Sequence, residues 1–220
     1  VKFLIVKNLH CEVGFTNIVQ KSLEAKSHKE IRNKVLSQPI DGCITRSSDG
    51  KLHYTIPEIR IKKLDEIPSP YLTGLMDKFF DGKLSPMIQT NRGCPFHCTF
   101  CTDGRDSVNQ INSFSLDRIS AEINYIANNA PLETDNLLIS DLNFGMIPGD
   151  LDTCRAITDV QEKFDYPHKL LTTTGKNNKK KIIESVKSLS GSLSLSMSVQ
   201  SMDEQVLKNI KRDNISKIGR

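Results

Sequence analysis

Cys94, Cys98 and Cys101 stand four and three residues apart in one short stretch. Thiolates at that spacing can converge on one side of a loop and hold metal. A cubane [4Fe-4S] cluster normally takes four cysteines. A local set of three leaves one iron with an open coordination position, much as a catalytic zinc centre keeps one position free for its substrate. Gly93, just before the first cysteine, permits a sharp backbone turn, and Pro95 stiffens the loop. On spacing alone two other readings stay open. A structural zinc site needs a fourth ligand, for which His97 is the nearest candidate, although zinc ligands usually come as two separated pairs and a side chain at this place in the loop tends to point outward. Three adjacent thiols with no metal would oxidise readily.

The other cysteines, Cys11, Cys43 and Cys154, are scattered and read as small buried hydrophobes. A secreted disulfide framework would be denser, in a shorter chain behind a signal peptide. Clustered thiols without those features point to a reducing compartment, hence the cytoplasm. No apolar run approaches the roughly 18–20 residues of a membrane span, and Lys7 and His10 interrupt the N-terminal one before it could serve as a signal. The net charge of +4 is diffuse and implies no nucleic acid. Its densest run, Lys176 to Lys181, reads as the solvated face of a helix.

The elements that must position the cysteines fall into two textures. Residues 1–70 read as a strand (Lys2 to Val6), a helix from about Phe15 to Lys26, a charged stretch, and a hairpin turning at Asp49-Gly50 between Cys43-Ile44-Thr45 and Leu52-His53-Tyr54. Ile67-Pro68-Ser69-Pro70-Tyr71 is a stiff connector. Residues 71–220 alternate strand and helix. The strands are Pro86 to Thr90, Asn136 to Ser140, Lys169 to Thr173 and Leu193 to Val199. The helices begin after Ser115, an N-cap, and near Leu151, Asn178 and Asp203. Four successive strand–helix units predict an α/β fold with parallel strands, a partial TIM-like barrel. In such a fold the functional groups gather at the carboxyl ends of the strands.

Thr90 to Cys101 (Thr-Asn-Arg-Gly-Cys-Pro-Phe-His-Cys-Thr-Phe-Cys) closely resembles the signature loop of radical S-adenosylmethionine (radical SAM) enzymes, CxxxCxxC with an aromatic just before the third cysteine. The resemblance runs from about residue 83 to 220. Ile67 to Gly74 resembles the linker found in the subgroup with an N-terminal cobalamin-binding domain, and residues 1–65 resemble the end of such a Rossmann-like α/β domain. The resemblance implies that Cys94, Cys98 and Cys101 bind three irons of a [4Fe-4S] cluster and that S-adenosyl-L-methionine chelates the fourth. One electron would then cleave SAM to methionine and a 5′-deoxyadenosyl radical that acts on substrate, methyl transfer being one outcome within the family. It also implies a reductant of the ferredoxin or flavodoxin kind as partner. Cobalamin enters as a further cofactor of the subgroup, but His10 lacks the Asp-x-His context of a cobalamin ligand.

The resemblance further places SAM contacts at strand ends. Asp141 and Asn143 stand where many members carry Gly-Gly-Glu, the alternative being a turn capped by these residues. The hydroxyls of Thr172 to Thr174, Thr174 above all, face the pocket or cap the next helix. Ser198 and Gln200 share one strand face where the family often binds ribose. Phe100 matches the aromatic beside the adenine, or packs the loop. Four strand–helix units against about six in a full core, and no strand-five motif, lead us to expect a piece of a longer protein. Two readings from other classes remain: a non-catalytic iron–sulfur protein with Cys154 or Cys43 as fourth ligand, and a zinc-stabilised module.

Overall fold

The turn at Asp49-Gly50 forms as the sequence predicts. In the computed structural model, which describes residues 4–5, 11–36, 38–47, 49–55, 61–106, 109–175, 178–194 and 200–212, the chain divides into two compact units, Val1–Lys62 and Lys63–Arg220. His10 and most of the predicted Lys2 to Val6 strand lie outside the described residues.

The first unit contains β1 (Leu4–Ile5), α1 (Cys11–Leu23), α2 (His28–Leu36), β2 (Cys43–Arg46) and β3 (Leu52–Tyr54). β2 pairs antiparallel with both β1 and β3. β2 and β3 form the hairpin expected around the Asp49-Gly50 turn, since a link this short allows no parallel crossover. The charged stretch proves to be α2. Its Ile31 and Val35, four residues apart, pack toward Ile40, Cys43 and Ile18, while Glu30 and Lys34 pair on the outer face at 3.7 Å.

The second unit is built on a parallel sheet of order β4-β7-β8: β4 (Met87–Ile88), β7 (Asn136–Phe144) and β8 (Lys169–Thr174). Leu193 adds an isolated parallel bridge to Leu170. The rest of the predicted fourth strand, residues 195–199, lies outside the described residues. Between β4 and β7 come a two-residue ribbon, β5 (Asn91–Arg92) against β6 (Asn112–Ser113), and helix α3 (Leu116–Asn129). Helices α4 (Asp150–Phe164), α5 (Lys179–Ser188) and α6 (Glu204–Asn209) follow. This is a mixed α/β unit with a parallel sheet.

Helical spacing explains which faces are buried. α3 turns Ile119, Ile123 and Ile126 inward, and α4 does the same with Cys154, Ile157 and Val160. They meet Ile88, Leu137, Ile139 and Leu170 from the sheet. Leu116, in the first turn of α3, is exposed. Ser115 caps α3, its hydroxyl accepting from the Arg118 N–H at 3.1 Å.

The proline-flanked connector is docked onto the second unit. The Ser115 N–H donates to Asp65 at 3.0 Å, and Arg118 donates to the Ile67 carbonyl at 3.0 Å while pairing with Glu122 at 2.8 Å. The Tyr71 hydroxyl both donates to the Met87 carbonyl and accepts from the Met87 N–H, each at 2.9 Å, fixing the edge strand β4.

Candidate functional site

The cysteines lie in a loop closed at its base by β5 and β6, with Asn91 opposite Ser113 and Arg92 opposite Asn112. Gly93 begins the loop at φ +111, and a Cβ there would run into the Gln110 carbonyl. Only glycine fits where the two legs of the loop come this close. Beyond it the chain winds tightly: the Cys101 N–H donates to the Cys98 carbonyl at 3.1 Å, and the Gly104 N–H to the Cys101 carbonyl at 3.2 Å.

This winding presents Cys94, Cys98 and Cys101 to one cavity of about 160 Å³. Phe100, Asp103, Leu142, Asn143, Thr173 and Arg212 also line it. Two side chains donate to its sulfurs. Asn143 Nδ2 lies 3.4 Å from Cys94 Sγ, and Arg212 Nη1 lies 3.6 Å from Cys98 Sγ. Among the described residues no three His, Cys, Asp or Glu side chains are grouped as ligands of a single metal ion. His97, the candidate zinc ligand, is half exposed and pairs instead with Asp106 at 3.2 Å and with Asn109.

The carboxyl ends of β4 and β7 are tied together behind the cysteine loop. Asp141 accepts from the Thr90 N–H at 2.9 Å, from the Thr90 hydroxyl, and from Asn91 Nδ2 at 2.8 Å. It is 3% exposed, and burial pushes its carboxyl up even though those hydrogen bonds pull it down. Asp150, at the start of α4, is equally buried and pushed up to about 6. Burial is the main cause, opposed by the Ile147 N–H and reinforced by the charge of Asp141.

The residues singled out in the sequence therefore separate. Phe100 and Asn143 line the cavity with the cysteines. Asp141 does not: its carboxylate is taken up by Thr90 and Asn91, and it braces the strand ends. Nor do Asp141 and Asn143 form a turn, because β7 runs on through Phe144, with its register on β8 shifting between Ile139 and Phe144. On β8 the cavity takes Thr173, and Thr174 is 1% exposed and faces inward. Strand alternation carries the signal for this, since Leu170, Thr172 and Thr174 share a face with the core. Gln200 is exposed and lies outside the cavity lining. Ser198 is outside the described residues. Cys154 is fully buried in α4, and burial pushes its thiol up to about 11. Arg212 was not singled out, for it follows the turn after a short helix and no local pattern marks it.

Comparison with known proteins decides the kinship. The chain is 32% identical over 168 residues to 2-(S-pantetheinyl)-carbapenam-3-carboxylate methyltransferase of Streptantibioticus cattleyicolor, which covers 72% of this chain and 24% of that protein. It is 30% identical over 165 residues to the cobalamin-dependent radical SAM methyltransferase TokK of Streptomyces tokunonensis, covering 71% and 24%. The chain is a homologue of cobalamin-dependent radical SAM methyltransferases. It spans about a quarter of the length of these two methyltransferases, which are enzymes. Its fold is similar to that of the cobalamin-dependent S-adenosylmethionine radical enzyme OxsB, with a TM-score of 0.55 at 17% identity over 91% of this chain and 28% of that one. At that identity the likeness is one of fold. No family model matches the chain. No described helix is long and apolar enough to cross a membrane.

Proposed function

We propose that this chain carries the cluster- and SAM-binding part of a radical SAM methyltransferase, laid out as the first strand–helix units of a partial TIM-like barrel. The observation that carries the reading is the single cavity shared by Cys94, Cys98 and Cys101, with Asn143 and Arg212 donating to two of the three sulfurs. The donor set suits a [4Fe-4S] cluster. Three thiolates leave one iron open, and hydrogen bonds and positive charge at the sulfurs are what an anionic cluster requires.

In this reading Cys94, Cys98 and Cys101 are the iron ligands. Asn143 orients the first thiolate and Phe100 forms an apolar wall of the cavity. Thr173 brings a hydroxyl to the mouth, in reach of a polar cofactor. Asp141 holds the ends of β4 and β7 in register, so that the loop leaving β4 and the strand end bearing Asn143 face each other. When bound, the cluster supplies the electron that cleaves SAM. The protein's part is to orient the cofactor and keep out competing reactions. Cobalamin dependence, the methyl acceptor and a ferredoxin- or flavodoxin-like electron donor belong to the same proposal, supported by the relatives.

The test is anaerobic reconstitution of the chain with iron and sulfide, followed by reduction and an assay of 5′-deoxyadenosine formed from SAM. Cluster absorbance with SAM turnover is expected, and its loss in C94A, C98A and C101A. Zinc without iron in the purified protein would point to the zinc-stabilised module instead.

A further inference from the structure

Arg212 is 7% exposed, yet among the described residues its Nε and Nη2 have no hydrogen-bond partner. Its remaining contact is Nη1 to Cys98 Sγ at 3.6 Å, inside the cavity lined by the three cysteines. A guanidinium cannot shed its proton, and burying one without an anion is strongly unfavourable. An anion in this cavity would offset that cost.

Lys211 sits in the left-handed region at φ +51, a conformation that a side chain of this type adopts at some energetic expense. The reversal lets the Arg212 N–H return to the Leu207 carbonyl at 3.0 Å and sends the side chain toward the cysteine loop. Two residues before Arg212, the Ile210 carbonyl accepts from the Thr99 N–H at 3.1 Å. The turn after α6 thus grips the loop between Cys98 and Cys101 at two points, one backbone and one side chain.

We propose that Arg212 is a positioning residue for the cluster, holding the Cys98 thiolate in place and setting the reduction potential through its fixed positive charge. The inference rests on the cluster reading above. Reduction adds one negative charge to a cluster that is already anionic. A buried cation stabilises the reduced form more than the oxidised one and raises the potential.

The experiment compares wild type, Arg212→Gln and Arg212→Lys as full chains, reconstituted anaerobically. Iron content is measured, and midpoint potentials are taken by EPR-monitored titration with and without SAM. In the absence of SAM, Arg212→Gln should shift to a more negative potential by about 60 mV or more, a roughly tenfold change in a one-electron equilibrium. Arg212→Lys should fall between it and wild type. Equal potentials in all three loaded proteins overturn the proposal. So does a shift that appears only when SAM is present, because the guanidinium would then serve the cofactor rather than the thiolate. Should Arg212→Gln fail to fold, Arg212→Met decides, and an unchanged potential in it overturns the proposal. A wild type that takes up no cluster defeats the underlying reading and this inference with it, an outcome visible before any variant is made.

Discussion

Asn143 donates its side-chain amide to the sulfur of Cys94 at 3.4 Å, across 49 residues of sequence. The contact joins the end of β7 to the loop leaving β4, so a second strand end helps to aim the first thiolate. Outer groups of this kind typically account for 10–100-fold in metal affinity or activity. N143A is expected to fold, since the Asp141 network stays intact. It should retain less iron after desalting and cleave SAM at least about tenfold more slowly. Wild-type iron content and rate in N143A would show that the contact is incidental.

Gly93 and Gly149 share a left-handed backbone, at φ +111 and +98, but not their surroundings. A Cβ at Gly149 meets nothing within 4 Å, whereas one at Gly93 collides with the Gln110 carbonyl and comes within 2.9 Å of its carbon. G149A should lose only the conformational term, about 1–3 kcal/mol. G93A should lose more, because the β5–β6 base of the loop must also open, and its cluster loading should fall with it. Urea denaturation of both variants, with iron content, separates the effects. Equal losses at the two positions would mean that the close approach is not the constraint.

Much of this arrangement is legible in the sequence where the physics is local. The cysteine spacing, Gly93, the Ser115 cap, the Asp49-Gly50 turn and the helical stripes of α3 and α4 each follow from neighbours in the chain. What escaped depends on distant partners. The Asp141 carboxylate turns inward because Thr90 and Asn91, some fifty residues earlier, offer it donors. The β5–β6 ribbon is too short to show a period. Arg212 reaches Cys98 from 114 residues away. α2 was obscured because two apolar residues, Ile31 and Val35, bury a helix that is charged elsewhere.

Asp150 makes stability depend on pH in an unusual sense. Its carboxyl is raised from an ordinary 3.8 to about 6, so the native state binds this proton more tightly than the unfolded chain does. The contribution is fully present below about pH 4 and is lost as pH rises through about 6. Asp141 is shifted in the same direction. Asp65 and Asp135, held low by Ser115 and Lys169, act oppositely and only at more acid pH. The elevation of Asp150 corresponds to roughly 3 kcal/mol. D150N keeps an acceptor for the Ile147 N–H but has no charge to bury. It should flatten the fall in stability between about pH 4 and 6, and be at least as stable as wild type at neutral pH. Urea melts across that range check this, and parallel slopes for the two proteins would contradict it.

Asp103 is the carboxylate that lines the cavity beside the three cysteines, and it presents the sharpest challenge to an open iron. A carboxylate can ligate iron, and a fourth protein ligand would leave SAM no place to chelate. Cys154 does not compete for that role. It lies in the core between α4 and the serines of α5, its thiol raised to about 11. If the fourth position is open, D103A should still bind about four irons per chain. Adding SAM should then perturb the EPR signal of the reduced cluster in D103A as it does in wild type. If Asp103 closes the position, D103A should lose iron, and SAM should leave the wild-type signal unchanged. The two outcomes are exclusive, because one iron cannot both hold a protein carboxylate as its fourth ligand and remain free for the amino and carboxylate groups of SAM.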